Sequence, residues 1–534
     1  MTGDGEGAAT AIGRNGGAVA AGHPETARAA AEILEDGGNA FDAVVAALAA
    51  SFVVEPALSS PGGGGFLLAH PIDAAPVVLD FFTQTPGRAV PMGSADQTGT
   101  LDFHPVLADF GTTTQEFHVG RAAAAVPGMI PGLCAIQRDL GRLPLSRLLE
   151  PAIRLGRQGP PLAPLQAHIM DVIGPIMTLT DAAHACFGDP AHRGRARAAG
   201  VSLPMTALAD CLEALGREGE ALFREGAVAQ AMAGLTAEGG LMTADDIRRY
   251  TVLRHPPLDR RFHGARVLTN PPPSSGGGLI AYGLALLEND AEPPAPNAVV
   301  RVMHQTGLAR DAVGLAEGVD DRRVAALLCE AGLAEGRAAL AKGTRALKTG
   351  GTTHVSAIDA EGNAAACTVS NGEGCGHMVP GCGFMLNNML GEEDLNPAGF
   401  FRWRPDTRVS SMMAPTLAER PDGTVIAMGS GGSNRIRTAL LQVLCAILAH
   451  GRPLADAVAA PRLHMERGHL DIEGGWDPVT VARLTTAFPD TRVWPDRSMF
   501  YGGVHAVARY PGSGGVEAVG DPRRGGAALV IPAA

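Results

Sequence analysis

The most informative stretch of the sequence is residues 348–388, KTGGTTHVSAIDAEGNAAACTVSNGEGCGHMVPGCGFMLNN. Side chains that alternate between two faces over residues 352–358 predict a β-strand. Five residues with tight-turn composition follow, and residues 364–370 predict a return strand. That register places Thr352 opposite Ser370, with Cβ atoms about 4.5–5.5 Å apart, and a slip of one residue would undo it. The stretch therefore predicts a hairpin that brings two hydroxyls together.

Two interpretations of Thr352 follow from this hairpin. A threonine hydroxyl is a poor nucleophile, but a threonine at a chain N-terminus carries its own base in the α-amine. That amine titrates near roughly 7.7–8.0, so part of it is neutral at working pH. A flexible Thr-Gly-Gly precedes the strand, so Thr352 could be a nucleophile exposed by cleavage after Gly351. The other interpretation is an ordinary hairpin, which the commonness of such hairpins favours when the stretch is taken alone.

Composition bounds the class of protein. The chain has 534 residues, of which 46% are hydrophobic and 18% charged, so a large core is easily built. This length predicts one large α/β unit or two to three domains. The net charge of −12, without a long basic run, argues against nucleic acid as a partner.

Cysteine usage and the apolar runs set further expectations. The eight cysteines form no CxxC pair and the chain has no HExxH, which predicts free buried thiols and no metal site. Catalysis by a terminal threonine, the first interpretation above, requires no metal or organic cofactor. The first residues lack a basic region followed by an apolar core, so no signal peptide is expected. The longest apolar run, residues 43–54, is too short to span a bilayer. We therefore expect a soluble, cytoplasmic protein without a membrane partner.

Two helices are predicted near the start of the chain. Residues 23–36 form the first, with a Gly-Gly pair as its end. Asn39 is the predicted N-cap of a second helix that ends at Val54 and is apolar nearly all round, which predicts a central position.

A strand, two glycines and a helix follow one another near residue 430. A strand is predicted over residues 425–428, and Ser433 is the predicted N-cap of a helix that ends at His450. Backbone N–H groups of Gly431 and Gly432 would lie near the helix N-terminus, where positive potential favours an oxyanion. The alternative is a tight strand-to-helix turn with no chemical role.

Taken together, these pieces resemble the gamma-glutamyltranspeptidase (glutathione hydrolase) family. The matching segments run in order along nearly the whole chain: HPETARAAAEILEDGGNAFDAVVAA, VVEPALSSPGGGGF, AAAAVPGMIPG, LMTADDIRRYTV, NPPPSSGGG, GTTHVSAIDAEGNA, LNN, SSMMAPT, GSGGSNRI, APRLH and GDPRRGG. The resemblance implies an α+β fold, the four-layer αββα sandwich of N-terminal-nucleophile hydrolases. It also implies self-cleavage between Gly351 and Thr352 into residues 1–351 and 352–534, which would remain one intertwined domain.

The resemblance also assigns residues to the reaction. Thr352 matches the nucleophile, Ser370 a second hydroxyl beside it, and Gly431 with Gly432 the oxyanion hole. The positions that match substrate contacts in the family are Asn371, Ser410 and Ser411, of which the serine pair contacts the glutamyl carboxylate.

Two positions depart from the family pattern. Phe82 stands where the family usually has an arginine that pairs with the substrate α-carboxylate, and a phenylalanine offers no bidentate ion pair. Met389 follows LNN in place of a glutamine. Glu392 or Glu393 could still hold a substrate α-amine. Arginines elsewhere could replace the missing one, and the candidates are Arg408 and Arg435.

Three functional hypotheses remain open. The first is a gamma-glutamyltransferase or glutathione hydrolase that acts on glutathione-like amides through an N-terminal threonine. The second keeps this chemistry for another acyl donor, as in cephalosporin or glutaryl acylases, with Phe82 and Met389 forming an apolar pocket. The third is a folded binding protein with a dead site. In the first two, the partners are a small amide or peptide and the two fragments of the same chain.

Overall fold

The computed structural model describes residues 8–87, 101–109, 114–288, 292–315, 318–340, 351–396 and 399–533. Of the Thr-Gly-Gly that precedes the predicted nucleophile, only Gly351 lies within these ranges.

The strands are, in chain order, β1 (Ala9–Arg14), β2 (Gly17–Ala21), β3 (Gly64–His70), β4 (Val77–Phe81), β5 (His104–Asp109), β6 (Thr114–Val119), β7 (Gly188–Asp189), β8 (His192–Ala196), β9 (Leu253–His255), β10 (Leu258–Phe262), β11 (Ala265–Thr269), β12 (Thr353–Ile358), β13 (Ala364–Ser370), β14 (Thr416–Glu419), β15 (Val425–Gly431), β16 (Leu463–Glu466), β17 (His469–Ile472), β18 (Thr491–Val493), β19 (Gly503–Tyr510), β20 (Gly515–Gly520) and β21 (Ala527–Ile531).

The α-helices are, in chain order, α1 (Pro24–Glu35), α2 (Ala40–Val54), α3 (Met129–Leu140), α4 (Leu145–Gln158), α5 (Pro164–Val172), α6 (Gly174–Met177), α7 (Asp181–Phe187), α8 (Thr206–Glu218), α9 (Ala221–Arg224), α10 (Ala227–Leu235), α11 (Ala244–Arg249), α12 (Ser275–Leu287), α13 (Pro296–Ala312), α14 (Asp321–Leu328), α15 (Glu330–Ala339), α16 (Arg435–Leu444), α17 (Leu454–Ala459) and α18 (Pro478–Ala487). A π-helical turn, Cys445–Ala449, extends α16.

Two seven-stranded antiparallel sheets form the centre of the molecule. One has the strand order β1-β20-β19-β15-β14-β11-β10, and the other the order β21-β2-β12-β13-β3-β4-β9. The sheets pack face to face, with β12 and β13 against β15 and β19. Each sheet contains strands from both sides of Gly351.

Helices cover both outer faces of this pair of sheets. Helices α1 and α2 lie on the sheet that contains β12, and α4 and α8 form a further layer over α2. Helices α12 and α16 lie on the other sheet. The predicted α+β, four-layer αββα sandwich is therefore confirmed.

The predicted hairpin and the predicted central helix are both present. Strand β12 pairs with β13 from Thr353 opposite Val369 to Ile358 opposite Ala364, which is the predicted register. Helix α2 is buried along its whole length. Its N-cap Asn39 accepts the N–H groups of residues 41 and 42, and the Asp42 carboxylate accepts the Asn39 N–H in return. These contacts fix the inner helix layer beneath the hairpin.

Candidate active site

Two hydroxyls meet on the carbonyl oxygen of Gly351. Thr352 Oγ1 donates to this oxygen at 2.7 Å, and Ser370 Oγ donates to it at 2.7 Å from the adjacent strand. Both side chains are buried, with Thr352 only 5% exposed. The hairpin thus places a hydroxyl next to the carbonyl carbon of the Gly351–Thr352 bond and a second donor on its oxygen.

The structure distinguishes Thr352 from the threonine that follows it. Thr353 Oγ1 donates to the carboxylate of Glu55 at 2.7 Å, and Thr26 donates to the other oxygen of the same group. Burial raises the pKa of Glu55 above its ordinary value. Thr353 therefore anchors the strand to the C-terminal end of α2, while Thr352 is the threonine that lines the cavity described below.

The histidine of the TTH segment has a structural role. His354 is fully buried, and its two ring nitrogens hydrogen-bond to the hydroxyls of Thr368 and Ser356, each at 2.8 Å. Burial holds its pKa well below the ordinary value, so the ring is neutral. A Cβ added to Gly429 would lie 2.2 Å from this ring, so the facing strand needs a glycine there.

The turn after β13 brings a carboxylate back to Gly351. Gly372 adopts a positive φ of 61°, and its N–H donates to Ser370 Oγ at 3.0 Å. Glu373 then accepts the Gly351 N–H on Oε1 at 2.9 Å. Glu373 was not predicted from the sequence, although an acidic residue between two glycines shortly after a strand marks its position. Asn371 is buried, and its side chain is absent from the cavity lining within the described part of the chain.

The carboxyl groups of Glu373, Glu392 and Asp394 interact with one another. The pKa of Glu373 is raised to about 8, chiefly by burial and also by the Asp394 carboxylate, while the Gly351 N–H and the Arg524 guanidinium oppose the rise. Burial also holds the pKa of Glu392 well above its ordinary value, with added repulsion from Glu373 and Asp394. Protons are therefore retained in this cluster at neutral pH.

The LNN segment shapes the walls of the site through its two asparagines. Asn387 accepts the N–H groups of Ala125 and Met389 and thereby fixes the direction of the chain at Met389. Asn388 accepts the N–H of Glu373 at 2.9 Å. Both asparagines support other residues of the site, a role that the sequence alone did not assign.

Gly431 lies beside Thr352 and Gly432 follows it in the chain, but the predicted end of their strand is wrong. Strand β15 continues to Gly431, three residues beyond its predicted end, so Gly431 belongs to the sheet. A Cβ on Gly431 would lie 2.0 Å from the Thr352 carbonyl oxygen, and Gly432 has a φ of 116°. The Arg524 guanidinium donates to the same carbonyl at 3.4 Å. The oxyanion role of the two glycines stays a prediction.

The predicted N-cap at Ser433 is wrong. Ser433 adopts a positive φ of 48°, and its hydroxyl donates to Asp394 at 3.2 Å. Asn434 occupies the N-cap position of α16 and makes no side-chain capping bond there. The chain turns through left-handed backbone at Gly432 and Ser433 before the helix begins, which a simple capping pattern does not anticipate.

A cavity of about 30 Å³ opens beside Thr352. Its polar lining residues are Thr352, Ser370, Glu392, Ser411 and Ser433. Its apolar lining residues are Phe82, Met389, Leu395, Met412, Met413 and Ile436. Phe82 and Met389 are each 1% exposed, so the predicted apolar pair does border the site. Ser410 instead donates to the Leu395 carbonyl at 3.0 Å, outside this lining.

The two arginines that could replace the missing one are held elsewhere. Arg408 donates from Nε to both carboxylate oxygens of Asp80 at 3.2 Å and from Nη1 to Gln84 at 2.6 Å. Its guanidinium stacks on Tyr250, 4.4 Å from the ring centroid. Arg435 donates to the carbonyl of Phe500 at 3.1 Å. Within the described residues, the lining of the cavity contains no arginine, lysine or histidine.

Neither a metal-binding cluster nor a membrane-spanning helix occurs among the described residues. These residues include no group of three or more His, Cys, Asp or Glu side chains arranged to hold a metal ion. They also include no helix of the length and apolarity that crossing a membrane requires.

Comparison with known proteins gives the class of the molecule. The family model described as Gamma-glutamyltranspeptidase matches residues 26–531. The Acylase ACY 1 proenzyme of Pseudomonas sp. (strain V22) is 30% identical over 524 residues, covering 93% of this chain and 90% of the relative. The Glutathione hydrolase proenzyme of Pseudomonas aeruginosa is 32% identical over 483 residues, covering 84% and 83%. The crystal structure of cephalosporin acylase from Bacillus halodurans superposes with a TM-score of 0.83 at 22% identity, covering 97% and 96%.

The fold is therefore that of the N-terminal-nucleophile hydrolases. Within that class, the chain belongs to the gamma-glutamyltranspeptidase family, which acts on small amide substrates and is processed into two fragments of one chain.

Proposed function

We propose that the protein cleaves its own chain between Gly351 and Thr352 and then hydrolyses amides, or transfers their acyl groups, with Thr352 as the nucleophile. The observation that carries this proposal is the meeting of Thr352 Oγ1 and Ser370 Oγ on the Gly351 carbonyl, each at 2.7 Å. A nucleophile and an electrophilic hydrogen-bond donor are the two groups that attack on a carbonyl requires.

Self-cleavage proceeds in two steps with balanced atoms. Thr352 Oγ1 bonds to the Gly351 carbonyl carbon and the C–N bond breaks, while the hydroxyl proton passes to the departing nitrogen. Water then hydrolyses the resulting ester, which restores the hydroxyl and leaves Gly351 with a carboxylate. The freed α-amine of Thr352 becomes the base for later reactions.

Turnover repeats this chemistry on an external amide. The α-amine accepts the proton of Thr352 Oγ1 as this atom attacks the substrate carbonyl, and the amine of the substrate leaves with a proton. N–H groups of Gly431 and Gly432 stabilise the oxyanion, a role in which one donor contributes about 10²–10³ in rate. Water takes the acyl group in hydrolysis, and an amine takes it in transfer.

The acyl donor that the pocket suits best lacks the α-carboxylate of a γ-glutamyl group. Phe82 and Met389 border the cavity, and its lining within the described residues has no cation to pair with such a carboxylate. Arg408 is already paired with Asp80. The relatives named acylase and glutathione hydrolase have similar sequence identity to this chain, so identity does not favour either acyl donor. The preference for a carboxylate-free donor therefore rests on the composition of the pocket.

A γ-glutamyl donor is the second candidate. Glu392 and Ser411 both line the cavity. By resemblance to the family, an acid at the first position would hold the amine of a glutamyl group, and the serine at the second would hold its carboxylate. Ser411 Oγ accepts the N–H of Met413 at 3.0 Å, and its O–H can still donate to a carboxylate.

Two measurements test the proposed function. A denaturing gel of the purified 54.8 kDa chain should show fragments of about two-thirds and one-third of the mass, and Thr352→Ala should remain one band. A panel of 4-nitroanilides should show faster turnover of carboxylate-free acyl groups than of γ-glutamyl. A single full-length band with no turnover would support the binding-protein hypothesis, and preferred γ-glutamyl turnover would support the second candidate.

A further inference from the structure

The turn after β13 holds Gly351 at both of its polar backbone atoms. Its carbonyl oxygen accepts from Ser370 Oγ at 2.7 Å, and its N–H donates to Glu373 Oε1 at 2.9 Å. A Cβ added to Gly351 would lie 3.2 Å from this Oε1 and 3.4 Å from Leu58 Cδ2. The wall of the turn therefore lies in contact with the α-carbon side of this glycyl unit.

Gly351 is also the first acyl group that the site handles, if the proposed function is correct. The ester formed during self-cleavage joins the Gly351 carboxyl group to Thr352 Oγ1. That ester is of the same chemical kind as the acyl-enzyme of later turnovers, in which a substrate acyl group is joined to the same Thr352 Oγ1. The groups that hold Gly351 are thus positioned to hold the acyl group of a substrate.

Glu373 has the acceptor capacity that this second role needs. Its side chain is 4% exposed, and Oε2 is buried without a hydrogen-bond partner within the described part of the chain. Departure of Gly351 releases Oε1 as well. Oε1 is then a buried acceptor without a donor, which is costly to leave unsatisfied, so an incoming N–H is favoured.

We propose that Glu373 selects acyl donors with an N–H on the carbon next to the scissile carbonyl, namely glycyl and N-acylglycyl amides. This inference deepens the proposed function and rests on it. A γ-glutamyl donor does not meet the requirement, because its nitrogen lies on the third carbon from the scissile carbonyl. Glu373 is a specificity residue in this account, and Thr352 remains the nucleophile.

A pair of substrates that differ in one group tests the proposal with the self-cleaved wild-type protein. The 4-nitroanilides of N-acetylglycine and of 4-oxopentanoic acid differ only in N–H against CH₂. We expect kcat/KM to be about tenfold to hundredfold higher for the N-acetylglycyl anilide, because its analogue leaves a buried acceptor unpaired. Equal kcat/KM values for the two would overturn the proposal.

Variants of Glu373 test whether this residue causes the preference for the N-acetylglycyl anilide. Glu373→Leu should remove the preference, whereas Glu373→Gln, which keeps an acceptor oxygen, should retain most of it. Glu35→Leu, at an exposed glutamate of α1, is the matched control. A preference that persists in Glu373→Leu would also overturn the proposal. If that variant does not self-cleave, the wild-type pair still decides. Absence of both self-cleavage and turnover with every anilide would instead reject the proposed function.

Discussion

Replacement of Ser370 by alanine should slow self-cleavage without unfolding the protein. The Ser370 hydroxyl donates to the Gly351 carbonyl at 2.7 Å and also accepts the Gly372 N–H at 3.0 Å. The alanine removes both bonds and leaves the strand in place, because β13 retains its ladder with β12 and β3. The reaction therefore loses a donor at the oxygen where negative charge develops.

The size of the effect follows from this geometry. Loss of one oxyanion donor typically costs about 10²–10³ in rate, or roughly 2.7–4 kcal/mol of activation free energy. The net contribution of a hydrogen bond to folding stability is smaller, about 0.5–1.5 kcal/mol. We therefore expect a cleavage rate that falls at least about a hundredfold while the melting temperature changes little.

Pulse-labelled cell-free synthesis, followed by denaturing gels over time, measures this rate. Ser370→Thr should restore most of it, because threonine keeps the hydroxyl. Ser202→Ala is the matched control, since Ser202 also donates to a backbone carbonyl, that of Gly159 at 2.6 Å. Self-cleavage of Ser370→Ala at the wild-type rate would refute the assignment of Ser370 as the donor.

Three further predictions concern the surroundings of the nucleophile. Gly431→Ala should abolish anilide turnover, because its Cβ would lie 2.0 Å from the Thr352 carbonyl oxygen; normal turnover would contradict this. Arg408→Met should lower the free energy of unfolding by about 3–5 kcal/mol in urea titrations, since it deprives the buried Asp80 carboxylate of its guanidinium partner, and should not change donor preference. In the uncleaved Thr352→Ala background, Glu373→Gln should raise the melting temperature more at pH 8 than at pH 5. Burial raises the pKa of Glu373 from 4.5 to about 8, so folding stability falls as pH rises across that window, whereas glutamine does not titrate. A difference in melting temperature that is independent of pH would contradict this.

Local sequence signals predicted the parts of the fold that local chemistry determines. The turn composition after Ile358 sets the register of the hairpin, and the register then places Thr352 opposite Ser370. Asn39 and Asp42 form their capping box within one turn of chain. These features depend on neighbours in sequence, so the pattern alone suffices to predict them.

Contacts between distant segments could not be predicted in the same way. Glu373 reaches Gly351 only because glycines with positive φ reverse the chain after Ser370, and no periodic pattern marks that reversal. Arg408 pairs with Asp80, which lies 328 residues earlier in the chain. The sequence pattern therefore does not show that this guanidinium already has a carboxylate partner. The hairpin pattern and the family resemblance supplied Thr352 and the glycine pair as candidates, and the structure added the Glu373 carboxylate, which accepts the Gly351 N–H.

Mass spectrometry of the purified protein after brief incubation with N-acetylglycyl 4-nitroanilide and an acid quench tests the central claim most directly. We expect two polypeptides, residues 1–351 and 352–534, with threonine as the first residue of the smaller. We also expect an added N-acetylglycyl mass on the smaller polypeptide, which peptide mapping should place on Thr352. A full-length polypeptide, or an acyl group attached to a different residue, would refute self-cleavage or the role of Thr352.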